Sequence, residues 1–267
     1  MSDCSKPHLT PSLNLVHLYP EAMNLYGDRG NVLTLYQRAH WRGWTVTITE
    51  VSVGDVINPN AADIVFMGGG QDSQQHTIAH DFLTVQASPL KAAIENGAVM
   101  LGICGGYQLL GHWFDPLDGE RINGLGLLDV TTTGGTQRLI GNVVIDVADK
   151  GFIKGAHLKN VLGTTTLVGF ENHSGQTTLG PKARPLGTIV KGNGNNGHDG
   201  TEGAVQTLGQ GLLLGTYLHG SLLPKNPHLA DALLAHVLRR QQPNAVLPPL
   251  DDNLAWQAHQ KALLLTP

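Results

Sequence analysis

Apolar positions along this chain fall into two kinds of run. Some are short and near-continuous: LNLVHLY (13–19), ADIVFMGGG (62–70), AVMLGIC (98–104) and GLLLGTYLHG (211–220), the last three ending at or next to glycine. Runs of this length predict strands buried on both faces, and so a parallel sheet. Other segments mix apolar and polar residues at helical spacing, namely GDRGNVLTLYQRAHWRG (27–43), ASPLKAAIEN (87–96), GYQLLGHWF (106–114) and HLADALLAHVLRRQ (228–241). These predict helices that cover the sheet. In the first of them Asp28 is the candidate N-cap and Gly43 the stop. TVTITEVSV (45–53) alternates and is β-branched, so it predicts a further strand.

The pattern changes in the second half. GLGLLDVTTT, LIGNVVIDV and TTLVGFENH read as strands separated by turns. The expected architecture is therefore α/β, with a mainly parallel central sheet and a β-rich second half. KGNGNNGHDG (191–200) has no periodicity and reads as a polar surface excursion. Residues 1–12 read as a flexible tail and 13–241 as one domain. Residues 242–267 read as an extension ending in a short helix within DDNLAWQAHQKALLL.

Composition narrows the function. With 41% hydrophobic residues, 14% charged residues and 34 glycines, the chain is compact and turn-rich rather than disordered. A net charge of -4 without a basic run argues against nucleic acid as a partner. No apolar stretch approaches the roughly 20 residues that span a bilayer, so membrane insertion is not expected. MSDCSKPHLTPS lacks the apolar core of a signal peptide, and the expected location is the cytoplasm. The two cysteines, Cys4 and Cys104, are not expected to pair in a reducing compartment. Despite 13 histidines, no HExxH or CxxC spacing calls for a metal.

Candidate chemistry centres on Cys104. It stands where a buried strand meets a helix, flanked by Gly102, Gly105 and Gly106. Gly-Ile-Cys-Gly-Gly is the cysteine form of the G-x-S-x-G nucleophile elbow. The helix N-terminus favours a thiolate there, and the Gly105 N–H would face an oxyanion. A buried cysteine packing as a small hydrophobe is the alternative. A nucleophilic thiol needs a base, and His219 closes another apolar run at the same sheet rim. An ordinary half-buried histidine is its alternative. Met67-Gly68-Gly69-Gly70-Gln71-Asp72 also ends a strand, so Gly70 is a candidate second oxyanion donor. It matches neither a dinucleotide fingerprint nor a P-loop.

The ordered set L-Y-G-D-R-G-N (25–31), F-M-G-G-G-Q-D (66–72), G-I-C-G-G-Y-Q (102–108), R-L-I-G-N (138–142), G-F-E-N-H-S-G (169–175) and T-Y-L-H-G (216–220) resembles the class I glutamine amidotransferases. Within that class it resembles the CobB/CobQ-like branch. The resemblance implies a three-layer, flavodoxin-like fold and hydrolysis of L-glutamine by Cys104 and His219, with Gly70 and Gly105 at the oxyanion. It implies that Arg138 pairs with the glutamine α-carboxylate, and that Tyr107 and Gln108 line the substrate pocket. Glu171, Asn172 and His173 are expected to be structural support.

The resemblance further implies no cofactor in this chain. ATP and magnesium are expected on a MurT-like, Mur-ligase-like partner that amidates D-glutamate of lipid II. A glutaminase for a cobyric-acid-synthase-like or other small-acid acceptor, and a non-catalytic scaffold, are the alternatives. One feature departs from many amidotransferases of the class: His219-Gly220-Ser221 has no carboxylate two residues after the histidine. Either a dyad suffices or another acid orients His219, and the hypothesis drawn from this gap is that the partner subunit supplies it.

Overall fold

The computed structural model describes residues 10–147 and 165–265. Cys4 and most of the expected tail lie outside them. Five of the strands form a parallel sheet in the order β2-β1-β3-β4-β12, with antiparallel β11 at one edge. The six strands of this sheet are β1 (Ser12–Leu18), β2 (Thr45–Val51), β3 (Ile64–Met67), β4 (Val99–Ile103), β11 (Ala204–Leu208) and β12 (Gly211–Thr216). Every residue of β3, β4 and β12 is buried, as continuous apolar runs require. β2 is largely exposed because it is the edge strand.

Four helices connect and cover these strands: α1 (Arg29–Trp41), α2 (Asp72–Asp81), α3 (Ala87–Glu95) and α4 (Gly105–Leu110). A π turn over Phe82–Gln86 joins α2 to α3, so the helical segment starts well before the expected residue 87. Residues 106–114 are not one helix. Gly111 adopts an extended conformation that ends α4, and Trp113–Asp115 forms strand β5.

The second sheet contains β6 (Ile122–Asn123), β7 (Val130–Val147), β8 (Thr166–Leu179), β9 (Gly187–Lys191) and β10 (Thr201–Glu202), in the order β10-β9-β7-β5-β6, with β8 antiparallel to β7. Two expected short strands are thus one long strand, β7, with a register shift between Gly134 and Leu139. The two sheets meet at Phe170 and His219. His219 N–H donates to Phe170 O at 2.8 Å, and Phe170 N–H donates to His219 O at 3.3 Å.

The loop at 191–200 is a surface excursion only in part: residues 197–200 are exposed, whereas 194–196 are buried. Asn195 is fully buried. Its carbonyl accepts Thr177 N–H at 2.8 Å, and its side chain reaches Tyr107 Oη at 3.2 Å. Glu171 accepts from Asn193 N–H and Gly194 N–H at 2.8 Å each. Asparagine and glycine are there to plug the core with polar groups that are satisfied.

The C-terminal helices are α5 (Leu222–Lys225), α6 (Pro227–Gln241) and α7 (Asn253–Leu264). Buried charges tie α7 down. Arg38 of α1 reaches Asp231 of α6 at 2.8 Å and Asp252, just before α7, at 2.6 Å. Beside them, His228 stacks on Trp256 with ring centroids 5.0 Å apart, and its Nε2 lies 3.0 Å from Thr166 O. Burial, reinforced by the neighbouring His259, holds the His228 pKa down at about 4, against 6.5 ordinarily. An imidazole kept neutral by the fold contributes stability in full above 6.5 and loses it as pH falls through about 4. From this residue alone we predict a loss of up to about 3 kcal/mol across that window. Chemical denaturation at stepped pH checks it, and His228→Phe should flatten the slope.

Among the described residues, no helix is long and apolar enough to cross a membrane.

Candidate active site

The parallel register sets the site. Met67 of β3 pairs with Gly102 of β4, and Ile103 pairs with Thr216 of β12, so three strands end abreast. Gly68 to Gly70, Cys104, and Tyr217 to His219 therefore emerge on one rim. Ligands bind at such carboxyl-end rims in open α/β sheets. A cleft of about 360 Å³ opens there, and Cys104, His219, Gly70, Gln108 and Arg138 all line it.

Cys104 sits at φ 50° and ψ -105°, a region side chains rarely adopt. Its N–H donates to Thr216 O at 2.9 Å, and Gly106 N–H donates to Gly68 O at 3.1 Å. These two bonds clamp the turn between the neighbouring strands. The elbow also needs Gly106, since a Cβ there would stand 2.5 Å from Met67 O. Such strain costs of order 1–3 kcal/mol and holds the thiol at the cleft wall.

His219 lies across from the thiol. A Cβ on Gly69 would approach His219 Cε1 to 2.8 Å and Cys104 Cβ to 3.4 Å, so only glycine lets the two side chains meet there. His219 Nδ1 is 3.4 Å from Asp28 Oδ1, and Asp28 Oδ2 accepts Gly69 N–H at 2.7 Å. Both side chains are buried. The ring's Nε2 is buried without a hydrogen-bond partner, while the Cys104 side chain stands close enough to act on it electrostatically. Burial works against a charged ring. The Cys104 thiolate and then the Asp28 carboxylate outweigh it and push the His219 pKa up to about 10. The arrangement favours a charged His219 ring between the Cys104 sulfur and the Asp28 side chain.

Asp28 overturns two expectations. It occupies the residue before α1, yet it is helical in conformation and its side chain caps nothing. Nor is the acid facing His219 left to a partner, because this chain supplies it from 191 residues upstream. Sequence spacing held no signal for that contact. The one available clue was Asp28's membership of the L-Y-G-D-R-G-N motif.

The other expected site residues divide. Gly70 lines the cleft, and Gly105 packs against it, since a Cβ on Gly105 would lie 3.0 Å from Gly70 N. Arg138 enters the cleft from the irregular stretch of β7, where a bulge re-aims the side chain. Its Nε donates to Asn172 Oδ1. Gln108 lines the cleft floor, accepting from Gln75 Nε2 at 3.0 Å and donating to Tyr217 Oη at 3.1 Å. Tyr107 does not line the cleft. It is fully buried beneath α4 with its hydroxyl on Asn195, so a direct ligand contact from it is corrected to a packing role.

Glu171 is buried against the 193–194 backbone, whereas Asn172 and His173 reach the cleft. Burial would raise the Glu171 pKa, but His173 and the Asn193 and Gly194 donors hold it below its ordinary value. Tyr26 and Gln75 line the cleft as well, although sequence patterning gave neither a role. No cluster of potential metal ligands occurs among the described residues.

A cysteine elbow, a paired histidine and an aspartate on the rim of a doubly wound sheet define a glutamine amidotransferase of class I type. Residues 14–227 match the CobB/CobQ-like glutamine amidotransferase domain, and the chain belongs to that family. It is 37% identical to subunit GatD of the glutamine-hydrolysing lipid II isoglutaminyl synthase of Streptococcus pneumoniae, over 92% of this chain and 88% of that one. It is 38% identical to the Staphylococcus aureus GatD subunit, over 93% of each chain. Among solved structures, PurLQS from Thermotoga maritima shares the fold at a TM-score of 0.60 and 16% identity, covering 88% of this chain and all of that one, 100%.

Proposed function

We propose that this chain is the glutaminase subunit of a lipid II isoglutaminyl synthase. The observation that carries the chemistry is His219 sharing one cleft with Cys104 and backed by the buried Asp28. The Cys104 thiolate attacks the side-chain carboxamide carbon of L-glutamine. The Gly70 and Gly105 N–H groups hold the oxyanion. The His219 imidazolium gives its proton to the departing nitrogen, so ammonia leaves and a γ-glutamyl thioester remains. Neutral His219 then takes a proton from water. Hydroxide attacks the thioester, the thiolate departs, and glutamate is released. Asp28 holds Nδ1–H and stabilises the imidazolium in both halves. Arg138 pairs with the α-carboxylate, a planar anion that its guanidinium fork matches.

Likeness to two GatD subunits over most of both chains supports the choice of acceptor. On this reading the ammonia passes to a MurT-like, Mur-ligase-like partner that binds ATP and magnesium. That partner converts D-glutamate of lipid II to D-isoglutamine in the cytoplasm. The test is to mix this chain with that partner, ATP, lipid II and glutamine carrying heavy nitrogen at its amide. The label should appear in the D-isoglutamine of lipid II. Glutamate release with no label in lipid II, but label in a corrinoid or other small acid added in its place, would reassign the acceptor.

A further inference from the structure

Tyr26 is a cleft residue that the mechanism leaves unused. It sits at φ 57° between Leu25 and Gly27, a left-handed conformation unusual for an aromatic residue, and it is 44% exposed. Its ring lies edge-on to His219, with centroids 4.9 Å apart. Its hydroxyl oxygen lies 2.9 Å from Asn172 Nδ2, and Asn172 Oδ1 in turn accepts from Arg138 Nε.

The polarity of this chain is fixed by its arginine. A guanidinium can only donate, so the asparagine oxygen must face Arg138 and the asparagine NH2 must face Tyr26. The Tyr26 oxygen is therefore an acceptor in that bond, and its own proton remains available to a ligand. One carboxamide separates that proton from the Arg138 guanidinium, and all three residues line the same cleft.

We propose that Tyr26 is a specificity-determining residue: its hydroxyl, oriented by Asn172, donates to the same α-carboxylate that Arg138 pairs with. The proposal rests on the glutaminase reading. A backbone strained to place one phenol gives the pocket a second donor for an amino acid's carboxylate. An amide lacking that carboxylate gains nothing from it.

The test measures half-protection of Cys104 from iodoacetamide, read on the Cys104 peptide, by L-glutamine and by γ-aminobutyramide, which lacks the α-carboxylate. Tyr26→Phe keeps the ring and removes only the donor. It should weaken protection by L-glutamine about tenfold, the factor for a hydrogen bond to a charged group, and leave γ-aminobutyramide unchanged. Asn172→Ala should follow Tyr26→Phe. Turnover of L-glutamine by Tyr26→Phe should show the loss in KM, with kcat within about twofold of wild type, because the bond is equally present in ground and transition states. Equal losses for the two ligands, a loss confined to kcat, or no loss at all would overturn the proposal. Arg138→Ala is run in parallel. If it weakens L-glutamine and Tyr26→Phe does not, Tyr26 alone is misassigned. If neither does, the glutamine pocket itself is misplaced and both readings fall.

Discussion

Cys104→Ala reduces glutamate release from L-glutamine to background, a loss of at least about ten-thousandfold. The size follows from what stays behind. The Gly70 and Gly105 backbone, Arg138 and His219 remain in place, so glutamine still binds, but no atom is left to form the acyl intermediate. Only direct attack by water assisted by the oxyanion donors persists. The same position offers a control that separates chemistry from folding. At φ 50° any side chain carries strain, and glycine does not. Cys104→Gly should therefore unfold at or above the temperature of Cys104→Ala while being equally inactive. A Cys104→Gly protein that melts well below Cys104→Ala would show that the turn is not strained as described. Glutamate release and thermal unfolding on the three proteins check both halves.

Asp28→Asn is expected to lower kcat by about a hundredfold to ten-thousandfold with KM for glutamine little changed. The cause lies in donors and acceptors. Asp28 accepts on both oxygens, from Gly69 N–H and from His219 Nδ1–H. Asparagine has one acceptor oxygen. If that oxygen stays on Gly69, an NH2 faces Nδ1 and forces the proton to Nε2, the wrong tautomer for a base directed at the thiol. If it turns to His219, a buried donor is set against the Gly69 N–H. Either outcome costs the site. Removing the carboxylate also removes one of the two charges that lift the His219 pKa to about 10. The alkaline limb of the kcat/KM profile, where the imidazolium is lost, should move to lower pH. Adding the partner subunit should not restore the rate. A full rate from Asp28→Asn in the complex would return the orienting acid to the partner.

These two residues also mark how far the sequence could be read. Cys104 and His219 were legible because each ends a buried apolar run, and strands of a parallel sheet end on a common rim. Asp28 was not. Its immediate neighbours fit a helix N-cap, and its functional contact lies 191 residues away, a distance over which no periodicity carries information. The buried half of the 191–200 loop escapes sequence reading for a related reason. Glycine and asparagine signal turns locally, but whether such a turn faces water or fills the core depends on Glu171 and Tyr107, which lie far off in the chain. Only the family resemblance points to Arg138, and the irregularity in β7 that turns it into the cleft is invisible without the pairing of β8. Tyr107 shows the converse error. It is adjacent to the elbow in sequence, but the first turn of α4 points it into the core, where it meets Tyr217 edge-on with centroids 5.3 Å apart.

The measurement that bears most directly on this account is mass spectrometry of the acid-quenched chain, in complex with its partner, after brief exposure to L-glutamine. The account predicts a γ-glutamyl adduct on the Cys104 peptide. It should build up further in Asp28→Asn if deacylation is the slower half, and be absent in Cys104→Ala. Ammonia and glutamate released at the wild-type rate with no adduct on Cys104, or with Cys104→Ala still active, would contradict it.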